Sequence, residues 1–277
     1  MKNILLIKYI YKIIMNSEIA ICFFGLTRSL RYNIESIQKN IFDILDNSEY
    51  SYDIYMHTYN LEVINNDRSN EYNCKLDTEE YKLLKPDHLN ITNQNKFDET
   101  VDIKDYIDHG DPWEKQEKVE YTSLKNLLRQ FNSLNIVTNL WIDKKLNYKC
   151  IIYLRPDLQY LTPLNLEVIQ FIFTKDKPII FTPNWCEYGG KNDRFAIGTP
   201  SAMKIYGTRL KHARNFSKIR TLHSEQFLKN ILKRGKVIMK PLNMKAVRVR
   251  ANGSINKQDK QRNKNHFISN NLLTQHN

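Results

Sequence analysis

Arg155 and Asp157 stand two residues apart at the end of an apolar run, in CIIYLRPDL (residues 150–158). Pro156 between them has no N–H to give a sheet ladder, so a strand ending here must stop. Asp157 is then held beyond the sheet, where a carboxylate can bind a hard divalent cation bridging two phosphates. Arg155 either neutralises diphosphate charge directly or pins Asp157. An Arg–Asp pair that closes a turn is the plainer alternative.

Other stretches share this arrangement. GLTRSL (residues 25–30) follows IAICFF and offers a glycine, two hydroxyls and Arg28 at a strand-to-helix turn. Free N–H groups at such a helix start, with Arg28 beside them, suit a phosphate. Its glycine spacing is neither that of a P-loop nor that of a dinucleotide fingerprint, and an ordinary turn explains it equally well. YDIYMHTY (residues 52–59) opens with Asp53 and ends with His57 and Thr58; a lone histidine there is more often structural than a ligand. In YGGKNDRFAIG (residues 188–198), Asp193 can hold substrate hydroxyls or act as a base. HSEQFL (residues 223–228) sets His223 and Glu225 at a helix start, where Glu225 is equally explained as an acid satisfying the helix dipole.

These residues need a scaffold that brings strand ends together. Ile19 to Gly25 is a continuous apolar run of the kind buried in a parallel sheet. Ile34, Ile37, Ile41 and Ile44 follow at helical spacing, and Tyr52–Tyr59 is a second strand, so this region predicts a βαβ unit. Residues 60–112 are polar and weakly periodic and predict a variable excursion with one short helix near Thr78–Leu84. A long amphipathic helix is expected over Pro112–Leu146, then a strand at KCIIYL, a helix at NLEVIQFIF and a strand at KPIIFTP. DRFAIGTP predicts a strand leading into a helix from Pro200 to about Phe216. SEQFLKNILKRG predicts a helix capped by Ser224 and ended by Gly235. KVIMKPL and AVRVRANG predict late strands. The alternation predicts an α/β fold: a mostly parallel sheet, helices on both faces, and ligands beyond the carboxyl ends of the strands.

A chain of 277 residues can bury one sizeable core, and 41% hydrophobic with 26% charged residues is ordinary for a globular protein. The expected organisation is an N-terminal extension over residues 1–18, one domain over residues 19–255, and a basic, disordered tail over residues 256–277. The net charge of +12 is uneven: residues 201–277 carry +16, against −4 for the first 200. Such asymmetry suggests an anionic ligand or surface, or a lysine-rich solvated face. Cys22, Cys74, Cys150 and Cys186 lack metal-ligand spacing, which predicts a reducing, cytoplasmic compartment. Lys8 and Lys12 interrupt the apolar start, leaving runs far below the ~20 residues of a membrane span. Membrane-surface association by that segment, or a true start at Met15, are the readings it permits.

Taken in order, FFGLTRSL, YDIYMHTY, YLRPDL, NDRFAIG and HSEQFL…VRVRANG resemble a family of glycosyltransferase-like proteins of large DNA viruses and microbial polysaccharide gene sets. The resemblance spans about Ile19 to Gly253, excepting residues 60–112. It implies a GT-A-like (Rossmann-like) fold, a nucleotide-sugar donor and a glycan or protein-linked acceptor. Donor contacts then fall to Gly25, Leu26, Thr27, Arg28, Asp53, Arg155, Asp157, Arg248 and Arg250. Asp193 and then Glu225 become the candidate catalytic carboxylates. Many such enzymes place Asp-x-Asp where this chain has Arg155-Pro156-Asp157, to hold Mn²⁺ or Mg²⁺. Arg155 in place of the first acid puts that cation in doubt and leaves Asp157 and His223 as candidate ligands. Three alternatives stand beside this enzyme: a homologue that binds sugar nucleotide or glycan without turnover, another nucleotide-dependent group transferase on the same sheet, and a nucleic-acid or anionic-surface binder using the basic C-terminal third. The last has few aromatics among its basic residues and no nucleic-acid motif, so no specific nucleic acid is expected.

Overall fold

The computed structural model describes residues 17–116 and 121–264. The expected N-terminal extension, apart from Ser17 and Glu18, lies outside those residues, as does the end of the expected tail.

A seven-stranded sheet in the order β10-β8-β9-β6-β1-β2-β5 forms the centre. Its strands are β1 (Ile19–Phe24), β2 (Tyr52–Asn60), β5 (His88–Asn93), β6 (Cys150–Leu154), β8 (Ile179–Pro183), β9 (Ala196–Gly198) and β10 (Ile238–Leu242). β1 runs parallel to both β2 and β6, and β9 alone runs antiparallel to its neighbours. Every residue of β1 is buried, as a strand covered on both faces requires.

The period of two divides that strand between two cores. Ile19, Ile21 and Phe23 pack with Leu30, Ile37 and Ile41 of the helical stretch formed by α1 (Leu30–Ile37), a π-turn (Gln38–Phe42) and α2 (Asp43–Asp46). Ala20, Cys22 and Phe24 face the opposite layer, with Leu134, Val137 and Trp141 of the long helix and Met203 and Tyr206 beyond it. The α/β architecture with helices on both faces is therefore as expected.

The other helices are α3 (Gln94–Asp98), α4 (Thr122–Asp143), α5 (Leu166–Phe173), α6 (Pro200–Gly207), α7 (Ala213–Ser217), α8 (Ser224–Arg234) and α9 (Lys257–Arg262). Two small antiparallel pairs complete the chain, β3 (Val63–Asn66) with β4 (Glu71–Lys75) and β7 (Leu158–Tyr160) with β11 (Ala246–Arg248). Among the described residues no helix is long and apolar enough to cross a membrane.

Four expectations change. Residues 60–112 are not merely an excursion, because β5 joins the main sheet beside β2. It escapes a sequence reading because it is an edge strand, paired through its backbone while Leu89 and Ile91 stay exposed. The long helix starts at Thr122, ten residues after Pro112, since Pro112 and Trp113 belong to a looping approach. The helix expected from Pro200 to Phe216 is broken after Gly207 by a 3₁₀ turn at Arg209–His212. Finally, the expected tail begins with α9, anchored by Asp259, which is 1% exposed.

Candidate active site

The carboxyl ends of β1 and β6 open onto a cleft of about 980 Å³. Gly25, Leu26 and Arg28 line it after β1, Arg155 and Asp157 after β6, and Asp193 and Arg194 before β9. His223, Ser224 and Glu225 reach it from the start of α8, and Arg248 and Arg250 from the chain around β11. Of the residues singled out in the sequence, Thr27, Asp53, His57 and Thr58 do not line it; the candidate donor-binding and catalytic residues otherwise meet there.

Asp53 is a correction. It pairs in register with Ala20, near the start of both strands and so at the opposite edge of the sheet. Its carboxylate accepts hydrogen bonds from Ser17 Oγ at 2.9 Å and Tyr148 Oη at 2.6 Å, which gives it a structural role. Thr27 is buried, and its carbonyl accepts from Leu30 N as part of the turn.

The phosphate site expected at the start of α1 is also revised. Gly25, at φ +100°, lets the chain turn, but its N–H donates to Ser133 Oγ at 2.8 Å. Ser133 in turn contacts His57 Nδ1 at 2.7 Å, and His57 Nε2 lies 2.9 Å from Thr92 Oγ1. Burial holds His57 neutral, with a pKa lowered to about 3, so it is a structural histidine. At α1 itself Leu30 N donates to the buried carboxylate of Glu80 at 3.0 Å, and Arg31 pairs with Glu80 at 2.9 Å. A protein carboxylate thus takes the place an anionic ligand would have occupied.

A continuous polar chain crosses the cleft floor. Arg28 donates from Nη1 to Glu71 Oε2 at 2.9 Å and from Nη2 to Asp157 Oδ2 at 2.8 Å. Arg155 donates from Nε to Asp157 Oδ1 at 2.8 Å, from Nη2 to Oδ2 at 2.7 Å, and from Nη1 to Gln130 Oε1 at 2.7 Å. Gln130 Nε2 continues to Asp193 Oδ2 at 3.0 Å, and Ser224 Oγ donates to the same oxygen. Ser224 therefore orients Asp193 rather than capping its helix. Arg209, fully buried between the rings of Phe131 and Tyr206, lies 3.7 Å from Asp193 Oδ2. Gln130, Glu71 and Arg209 carried no local signal, because each acts on a residue distant in sequence.

The second basic layer hangs on Asp259. Its carboxylate accepts from Arg248 N at 3.0 Å and Nε at 2.8 Å, and Arg194 Nη1 lies 3.4 Å away. Glu71 joins the excursion to the C-terminal loop, accepting from Ala251 N at 2.8 Å while Arg250 Nη1 stands 3.9 Å off.

Protonation separates the two candidate catalytic carboxyls. Burial, and then the negative charge of Asp193, push Glu225 up to about 8. Burial lowers His223 below its ordinary value, against a smaller raising effect of Asp193. The 3.2 Å contact between His223 Nδ1 and Glu225 Oε2 is then one between two neutral groups near neutral pH.

No family model matches the chain, and no curated protein matches it. Among solved structures it is similar to mouse xyloside xylosyltransferase 1 in its apo form. That similarity has a TM-score of 0.43 and 10% identity, over 82% of this chain and 84% of that one.

A divalent cation finds a poor donor set here. Both oxygens of Asp157 already accept from guanidinium groups, and the carboxylate is 3% exposed. A cation at Asp157 would lie beside Arg28 and Arg155, and each pair of unit like charges ~4 Å apart costs roughly 4 kcal/mol at a protein-surface dielectric. Glu225 holds its proton near neutral pH. Among the described residues no three His, Cys, Asp or Glu side chains are grouped to hold a metal.

Proposed function

We propose that this chain is a glycosyltransferase that moves a sugar from a nucleoside-diphosphate donor to a hydroxyl of a glycan or protein-linked acceptor. One observation carries the reading: a single cleft at the strand ends joins arginines at Arg28, Arg155, Arg194, Arg248 and Arg250 to the carboxyl groups of Asp193 and Glu225. Its volume of about 980 Å³ suits a ligand of nucleotide-sugar size.

The chemistry asks for two things at once. As the bond between the anomeric carbon and the donor phosphate oxygen breaks, its electron pair leaves with the nucleoside diphosphate. Fixed positive charge at the leaving group stabilises that build-up most. As the acceptor oxygen forms the new bond, its proton must pass to a base. Asp193 is suited to this step, since its contacts from Gln130, Ser224 and Arg209 all fall on Oδ2 and leave Oδ1 for a hydroxyl. Glu225 retains its proton near pH 7 and suits hydrogen-bond donation to substrate better than base chemistry.

The basic C-terminal third fits this reading better than a nucleic-acid surface. Arg209, Arg248 and Arg250 face inward toward Asp193, Asp259 and Glu71. A thermal-shift series with UDP-, GDP-, CMP- and dTDP-sugars, followed by donor hydrolysis, tests the proposal. Stabilisation by one nucleotide class with slow hydrolysis is expected; stabilisation by oligonucleotides and by no sugar nucleotide would overturn it.

A further inference from the structure

We infer that the cleft binds a pyrophosphate group through guanidinium groups alone, with Arg250 as the principal anion ligand and no divalent cation required. The inference deepens the transferase reading and rests on it only for the identity of the donor.

Seven arginines line the cleft: Arg68 lies over the Trp113 ring, Arg129 is held by Asp98, and four of the other five have carboxylate partners at close range. Arg28 lies between Glu71 and Asp157, Arg155 is doubly bonded to Asp157, and Arg248 and Arg194 are held by Asp259. Arg250 differs. Its side chain is 11% exposed, and its nearest carboxylate oxygen, Glu71 Oε2, is 3.9 Å away, beyond hydrogen-bond range. That oxygen already accepts from Arg28 and from Ser69. The Arg250 guanidinium reaches the solvent of the cleft with donors not committed to a protein carboxylate, so they are available for charge-assisted hydrogen bonds to an anion. A ligand anion in the cleft that Arg250 lines would take those donors in place of water.

The backbone holds Arg250 in place before any ligand arrives. Arg250 N donates to Ser254 O and Gly253 N to Arg250 O, each at 2.8 Å, closing a tight loop. Ser29 Oγ secures one flank at Val249 O (3.0 Å), and Ala251 N secures the other at Glu71 Oε1 (2.8 Å). Pre-organisation of this kind reduces the ordering cost of binding.

The charge balance agrees. The arginines Arg28, Arg155, Arg194, Arg248 and Arg250 meet three buried carboxylates behind them, Glu71, Asp157 and Asp259, while Asp193 is matched by Arg209. Among these five, guanidinium exceeds carboxylate, the sign that a pyrophosphate diester requires. Asp157 then keeps two guanidinium groups in position and touches no metal.

Calorimetric titration of the full chain with inorganic pyrophosphate, and with UDP, GDP, CDP, dTDP and ADP, in EDTA and again in Mn²⁺, tests this. Pyrophosphate and one of the nucleotides should bind in EDTA with affinity within about threefold of that in Mn²⁺. Arg250→Gln should weaken both by roughly tenfold or more, and Arg250→Lys by less. Binding that appears only with Mn²⁺, or a folded Arg250→Gln that binds normally, would overturn the inference. If Arg250→Gln does not fold, the wild-type comparison with and without metal decides alone. Pyrophosphate binding in EDTA without binding or hydrolysis of any sugar nucleotide would remove the transferase reading and leave the anion site. Sugar-nucleotide turnover strictly dependent on Mn²⁺ would do the reverse.

Discussion

Arg155 and Asp157 hold each other by two parallel hydrogen bonds, Nε to Oδ1 at 2.8 Å and Nη2 to Oδ2 at 2.7 Å. Pro156 ends the β6 ladder between them and leaves the pair above the sheet. Arg28 adds a third hydrogen bond to the same carboxylate from the end of β1. The pair is thus a junction between two strand ends, and its removal should be felt in both stability and binding.

Asp157→Ala leaves the buried guanidinium of Arg28 and the half-buried one of Arg155 without their shared partner. Breaking a buried pair on one side typically costs about 3–5 kcal/mol, so thermal unfolding should occur roughly 10 °C lower. Pyrophosphate affinity should fall at least about tenfold. Wild-type melting and wild-type binding together would remove the junction role.

The carboxyls predict opposite pH slopes. Burial raises Asp157 and Asp259, but in Asp157 the charges of Arg155 and Arg28 outweigh it, and in Asp259 hydrogen bonds from Arg248 and the charge of Arg194 do so. Both end below their ordinary values, so their stabilisation is present above the usual carboxylate range and is lost as pH falls from that range through their lowered folded values. Glu225 is raised to about 8, so the folded chain binds the extra proton between its unfolded value and about 8. Its contribution is complete at low pH and disappears as pH rises toward 8. Melting temperatures of wild type and Glu225→Gln should diverge from pH 5 to about 8, the wild type falling relative to the variant, and should run parallel only above about 8. Curves already parallel between pH 5 and 8 would exclude the raised value.

Gly190 and Gly25 should respond differently to alanine. A Cβ on Gly190 would lie 1.9 Å from Glu225 O and 2.3 Å from Gln226 N, so the start of α8 must move and carry Ser224 and Glu225 with it. A Cβ on Gly25 meets nothing within 4 Å, and the cost there is backbone strain at φ +100°, on the order of 1–3 kcal/mol. Donor hydrolysis should fall further in Gly190→Ala than in Gly25→Ala at matched folded fraction; the opposite order would contradict the site.

Asp259→Ala frees Arg248 and Arg194 inside the molecule and should destabilise by about 3 kcal/mol or more. Its melting curve should lose part of the acid-side slope described above. An unchanged melting temperature would mean that α9 contributes no anchoring through this residue.

The core strands IAICFF and CIIYL, the helix α8 and the gathering of Asp157, Asp193 and Glu225 near one sheet edge were legible in the residues themselves. Hydrophobic period and strand-end position are local properties, and a parallel sheet converts them directly into place. The fates of individual side chains were not legible. Glu71 meets Arg28 across 43 residues, Glu80 caps α1 across 50, and Asp259 reaches Arg194 across 65. Composition alone could not distinguish these carboxylates from solvated ones, nor show that β5, polar and half-exposed, extends the sheet. Local pattern decided which elements form and which strand ends face a ligand. Only the packed chain decided which charges are neutralised internally and which remain for a substrate, because that depends on contacts between residues far apart in sequence.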